Sequence, residues 1–138
     1  MEMYRAVCGF YFSEDRERVV LIRKMRPSWQ FELLNGVGGK VEENEFAKDA
    51  MVREFEEETG VHVENWIPFC VHEDLSHGVH VTYYRAFGDV SGCRTTTDEK
   101  ISVEFVAHLV QLETIQNLRW IVPMALDPTL QEAHTVWR

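Results

Sequence analysis

Three glutamates, Glu54, Glu57 and Glu58, are spaced at i, i+3 and i+4, a spacing that brings side chains together on one side of a helix. The segment that carries them, Glu45 to Thr59, contains neither Gly nor Pro and reads as a helix, with Asn44 as the candidate N-cap and Gly60 as the stop. On a wheel of about 100° per residue, Phe46, Ala47, Ala50 and Met51 form one side, and Lys48, Asp49 and Glu56 fall opposite or at its edges. Glu54, Glu57 and Glu58 continue the apolar stripe. A Glu-rich run ordinarily marks a solvated face, which would set its acids opposite that stripe, and only Glu56 obeys. Carboxylates clustered inward repel one another and lose hydration unless cations compensate them. An all-oxygen donor set calls for a hard cation, Mg2+ or Mn2+, rather than zinc. A cation held this way bridges phosphate oxygens and lowers the pKa of a bound water.

Ahead of the helix runs Asn35-Gly36-Val37-Gly38-Gly39-Lys40, with three glycines in four positions, a loop whose backbone N–H groups can approach a phosphate. Glycines also simply make turns. The P-loop pattern is absent, because Val41 follows Gly39-Lys40 where that motif needs Ser or Thr.

The elements around this core are mixed. Tyr4 to Phe12 and Arg18 to Arg23 read as strands joined by the polar turn Ser13 to Arg16, a candidate hairpin. Phe31 to Leu34, Val61 to Val71, Val79 to Phe87 and Ile101 to Val110 read as further strands, and Gly88 to Lys100 as a loop. Leu112 to Leu126 reads as a helix in two pieces, interrupted near Pro123. Strands with at least one central helix place the chain in the α/β or α+β class. With 138 residues and no repeat or linker, it reads as one domain over 1–138.

The formal net charge of −9 argues against a long nucleic acid as partner, since backbone binding needs clustered Lys and Arg. No apolar run reaches the length of a membrane span, and Met1 to Phe12 lacks the pattern of a secretory signal. Cys8, Cys70 and Cys93 match neither a disulfide framework nor a zinc spacing and read as free thiols of a reducing cytoplasm.

Read together, Gly39, Glu45, Arg53-Glu54-Phe55, Glu57-Glu58 and Gly60-Val61 fill every fixed position of the Nudix box, and Gly39 to Val61 resembles that motif along its full length. The resemblance implies a mixed sheet sandwiched between helices, an α/β/α arrangement with a catalytic loop-helix-loop. It implies Glu54, Glu57 and Glu58 as the main metal ligands, with Glu57 or Glu58 also helping to deprotonate the attacking water. The carbonyl of Gly39 would supply another ligand, and Glu45 with Arg53 would form a structural pair holding loop to helix. A later acid often completes such a site, and Asp98 and Glu99 are the candidates here, against the reading of an ordinary surface loop. The implied reaction is water attack on phosphorus in a nucleoside diphosphate linked to a further group, assisted by Mg2+ or Mn2+. The partner is then a small nucleotide, and the resemblance leaves a homodimer open.

Substrate choice lies outside the box. Leu34 to Lys40 looks like the version found in members that hydrolyse oxidised purine nucleoside triphosphates, which makes Asn35 a candidate base reader and Lys40 a further substrate contact. Asn before Gly is also a common turn pair. Trp29 and Trp120 are candidate stacking platforms, with core packing the better reading for Trp120. Arg23, Lys24 and Arg26 are candidates for the phosphates, against the reading of a solvated strand end. His72, His77 and His80 lack a zinc-site pattern and read as ordinary strand and turn residues. The expectation is therefore hydrolysis of a nucleoside triphosphate, 8-oxo-dGTP foremost, to the monophosphate and pyrophosphate. The alternatives are ADP-ribose, a nucleotide sugar or a dinucleoside polyphosphate, and, from another class, a non-catalytic nucleotide sensor. The sensor reading sits poorly with a box that keeps all its carboxylates.

Overall fold

The structure, a computed structural model, describes residues 3–138, so the first two positions of the expected 1–138 domain lie outside the described residues. The strands are β1 (Tyr4–Ser13), β2 (Arg18–Arg23), β3 (Leu34–Asn35), β4 (Val37–Lys40), β5 (Ile67–Asp74), β6 (Val79–Gly88), β7 (Ile101–Phe105) and β8 (Ala133–Trp137). The helices are α1 (Ala47–Thr59) and α2 (Leu118–Leu126), with short 3-10 turns at Ser28–Gln30 and Val106–Gln111. All eight strands join one mixed sheet in the order β3-β2-β1-β6-β5-β8, with β4 added on β1 and β7 on β2. β1 is its spine, running parallel to β6 over its whole length and antiparallel to β4 and β2 at its two ends.

Alternation along the central strands divides the core in two. Val7 and Tyr11 of β1, with Val20 and Ile22 of β2, pack under Ala50, Met51 and Phe55 of α1. Cys8, Phe10 and Phe12, with Val19 and Leu21, pack under Leu118, Ile121, Val122 and Ala125 of α2. Helices thus cover both faces, the expected sandwich. Among the described residues, no helix is long and apolar enough to cross a membrane.

Several sequence expectations are corrected. α1 begins at Ala47 rather than Glu45, and Phe46 holds the N-cap position without a side-chain cap. Asn44 sits at φ 64° in a left-handed turn instead of capping, and Phe46 is 81% exposed rather than part of the apolar stripe. The physical reason is Glu45, whose carboxylate accepts from the Glu42 backbone N–H and from Arg53, which delays the helix start. Gly60 ends the helix as expected, at φ 78°. Phe31 to Leu34 is mostly a turn. The strand expected from Val61 starts at Ile67, and that from Ile101 ends at Phe105. α2 runs unbroken through Pro123, because Leu118, Ile121, Val122 and Ala125, each at most 2% exposed, hold both sides of the proline in the core. The C-terminal strand β8 went unread, although the alternation in Ala133–Trp137 carries its signal.

The glycine stretch is not a free loop but the strand pair β3 and β4, and none of its glycines has a positive φ. Its glycines answer to close approach. A Cβ on Gly38 would lie 2.7 Å from the Val7 carbonyl carbon, 2.8 Å from Cys8 Cα, and nearer still to the Val7 oxygen. A Cβ on Gly39 would lie 2.5–2.6 Å from all three carboxylate atoms of Glu54.

Candidate active site

Two features meet at Gly39. The first is the acidic end of α1. Arg53 donates to both carboxylate oxygens of Glu45 at 2.9 and 3.0 Å, to the Lys40 carbonyl at 3.0 Å and to Glu54 at 2.9 Å. This fork fixes β4 against α1 and seats the Glu54 carboxylate over Gly39. Glu58 accepts a hydrogen bond from Thr97 at 2.9 Å, and Thr96 donates to the Glu57 carbonyl, so the β6–β7 loop docks on the last turn of α1.

Burial pushes the carboxyl groups of Glu54 and Glu58 above the ordinary range, more than Arg53 and Thr97 pull them down. Neighbouring glutamates add to the rise in both. Glu57 departs from the inward expectation: its side chain is 56% exposed and, among the described residues, hydrogen-bonds only with Arg53, at 3.5 Å. Among the described residues, no group of three or more His, Cys, Asp or Glu is drawn close enough to hold a metal ion as it stands. The side chains nevertheless suit a hard cation. Glu54 Oε2 and Glu58 Oε1 have no protein donor among the described residues, while the other oxygen of each is engaged. Gly39, having no side chain, lets the Glu54 carboxylate lie directly against β4, where any Cβ would collide with it.

The late-loop acids are placed differently from the expectation. Asp98 is exposed and pairs with Arg26. Glu99 is buried, 3% exposed, and its carboxylate accepts from Lys24 Nζ at 3.1 Å and from the backbone N–H of Met25 and Arg26 at 2.6 and 3.4 Å. It clamps the loop to the segment after β2. Glu99→Gln is therefore expected to cost about 2 kcal/mol of stability, since it strips the counter-charge from a mostly buried Lys24. Denaturant melts and kcat measured side by side check this. A collapse of kcat with unchanged stability would instead place Glu99 among the reacting groups.

The second feature is a cavity of about 590 Å³ on the α2 side of the sheet, within the usual range for a small-ligand site. At the mouth near α1 it is lined by Gly38, Gly39, Lys24 and Arg26. Its wall also holds Trp29, Gln30, Asn35, His72, Asp74, His77, Tyr83, Asn117 and Trp137. Trp29 and Asn35 both line the cavity. Asn35 Oδ1 accepts from the Gly36 N–H at 2.8 Å, and its Nδ2 donates to Gln30 at 3.1 Å. Arg23 and Lys40 do not line the cavity: Arg23 turns outward to the Glu32 carbonyl, and Lys40 lies over the Tyr4 ring. Trp120 packs against the α2-side core and His72. Lys24 and Arg26 are the cations at the mouth.

Five residues of the wall, Gln30, Asp74, Tyr83, Asn117 and Trp137, are not marked in the sequence, and His72 and His77 read there as ordinary. Asn117 donates to the Tyr83 hydroxyl at 2.9 Å, and His72 Nδ1 lies 2.7 Å from the Thr135 hydroxyl. Asn117 Oδ1 and His72 Nε2 are buried without a partner among the described residues, a cost that a polar ligand would relieve. No local pattern marks these residues, because β5–β6 and β5–β8 pairing brings the strand residues together and the start of α2 adds Asn117.

A family model described as NUDIX domain matches residues 3–134. Among curated proteins no sequence relative was found. Solved structures with the same fold include a MutT NUDIX hydrolase from Burkholderia pseudomallei, at 22% identity and TM-score 0.72, covering 90% of this chain and 98% of that one. The NUDIX domain of Shewanella oneidensis NrtR, complexed with ADP ribose, matches at 18% identity and TM-score 0.75, covering 91% of this chain and 87% of that one. A MutT protein from Bacillus halodurans matches at 18% identity and TM-score 0.75, covering 96% and 90%.

Proposed function

The chain belongs to the NUDIX domain family and is a Nudix pyrophosphohydrolase, and from that premise we propose that it hydrolyses the diphosphate linkage of a nucleoside triphosphate, an oxidised purine such as 8-oxo-dGTP foremost, to the monophosphate and pyrophosphate. One observation carries the reading: a cavity walled by aromatic rings and amides opens, at Gly39 and Lys24, beside the half-buried acids of α1. A base in the cavity leaves its phosphates at that mouth.

Glu54 and Glu58, assisted by Glu57 and the Gly39 backbone, would hold Mg2+ or Mn2+. Bound there, a divalent cation supplies charge neutralisation on the diphosphate and an acidified water. Lys24 and Arg26 meet the phosphates as fixed positive groups, each already oriented by Glu99 or Asp98. Arg53 holds β4 and α1 at the distance the acids require. Asn35, Asn117 and His72 offer amide and imidazole groups to the edge of the base, and Trp29 offers a ring face. The domain acts as one unit over 1–138, in the cytoplasm, with a small nucleotide as partner and a second copy of the chain as its candidate companion. A second reading, ADP-ribose or a related diphosphate, draws on the ADP ribose bound to the NrtR domain of the same fold.

Pyrophosphate and phosphate release from a panel of nucleotides tests the proposal. The panel holds dGTP, 8-oxo-dGTP, ADP-ribose, a nucleotide sugar and a dinucleoside polyphosphate, each with Mg2+ and with chelator. Expected is pyrophosphate from 8-oxo-dGTP in excess over dGTP, abolished by the chelator. Preference for ADP-ribose would replace the substrate and keep the chemistry. Silence across the panel from folded, metal-supplied protein would contradict both.

A further inference from the structure

The cavity wall carries a ring stack that the hydrolytic chemistry does not use. Trp29 and His77 lie face to face, centroids 4.0 Å apart and planes 15° from parallel. They come from separate segments, the 3-10 turn before β3 and the β5–β6 turn, and both line the cavity. His77 is held in its plane by Asp74, a residue only 3% exposed. Asp74 accepts from the His77 backbone N–H at 3.1 Å, from its imidazole Nδ1 at 2.7 Å and from the Ser76 hydroxyl at 2.6 Å. The backbone contact alone would close the turn. The imidazole contact does something more: it fixes the direction of a half-exposed ring. Its Nε2 has no partner among the described residues. The Trp29 turn, by contrast, has no side-chain cap at its N-terminus.

On the reading that this cavity holds a nucleotide, we infer that His77, oriented by Asp74, is the second jaw of a base clamp whose first jaw is Trp29. With no base between them the two rings close on each other. A nucleobase takes one ring thickness, so one jaw must give way, and the uncapped turn makes that jaw Trp29. The bound base then lies between an indole and an imidazole, and the clamp selects for an extended aromatic face rather than for a phosphate chain. Asp74 is a positioning residue, acting through His77.

The test is steady-state kinetics on 8-oxo-dGTP with Mg2+, in the parent, His77→Ala and His77→Phe, with inorganic tripolyphosphate as a competitive inhibitor. His77→Ala is expected to raise KM about tenfold, the size of one lost stacking contact, while kcat stays within about twofold. The tripolyphosphate inhibition constant should not move, because that anion has no base. His77→Phe, which keeps a ring in place, should return KM to within about threefold of the parent. An unchanged or lowered KM in His77→Ala, or a tripolyphosphate constant that rises in step with KM, overturns the clamp and leaves the proposed function standing. A parent that hydrolyses no nucleotide of the panel overturns the clamp and the underlying reading together.

Discussion

Replacing Glu58 by glutamine is expected to lower kcat about a thousandfold, with the fold intact and KM little changed. Glutamine keeps the shape and can still accept the Thr97 hydroxyl at Glu58 Oε2, so the loop that docks on α1 keeps its anchor. What it loses is a negative charge on a half-buried group whose carboxyl is already pushed up by burial. That destabilised charge is held beside a cavity mouth, where a divalent cation would compensate it. Glu54→Gln should behave alike, since the amide would sit over Gly39 in the same space. Glu57→Gln should do less, because its side chain is mostly in solvent and, among the described residues, held only by Arg53 at 3.5 Å. Circular dichroism and kcat measured on the same preparations check the ranking. Equal, small losses in all three would mean that α1 only frames the site.

The second large effect is on stability. Gly38→Ala is expected to cost about 3 kcal/mol or more, enough to lower the melting temperature by ten degrees or so. The new methyl has no space to enter. It meets the Val7 carbonyl and Cys8 Cα, which are backbone atoms of β1 and cannot rotate away. β4 would have to leave β1, and the Val7–Gly39 and Cys8–Gly38 pairs that place Glu54's platform would part. A thermal melt decides the point: a shift of under about two degrees would show that the strands slide apart freely.

The acids were legible because their chemistry is local: a helix repeat of three and four residues is written in consecutive sequence, and so is the box spacing from Gly39 to Val61. The Glu45–Arg53 fork was legible only through the resemblance to the box, since Glu45 lies ahead of α1 and outside its repeat. The exposure of Glu57 was not legible, since it depends on which side of the last turn the β6–β7 loop covers. The charge that lines the mouth was assigned by proximity to Arg23, Lys24 and Arg26 together. The end of β2 sorts them by direction: Arg23 turns out to the Glu32 carbonyl and Lys24 turns in to Glu99. The cavity's wall was least legible. Trp29 comes from a 3-10 turn, His77 from the β5–β6 turn, Asn117 from the N-cap of α2 and Trp137 from β8, and only the tertiary fold brings four such separate segments together. The glycines read as a stretch open to a phosphate, and the structure adds a packing role. Their role is to let Val7, Cys8 and Glu54 come close, which only the packed structure displays.

The most direct test of the central claim is the magnesium dependence of pyrophosphate release from 8-oxo-dGTP, compared between the parent and Glu54→Gln. The account predicts saturable activation in the parent and none in chelator. In the variant it predicts a cation requirement raised by at least about tenfold, together with a much lower maximal rate. Hydrolysis that persists in chelator, or identical cation curves for the two proteins, would contradict the assignment of these carboxylates to the metal-dependent step.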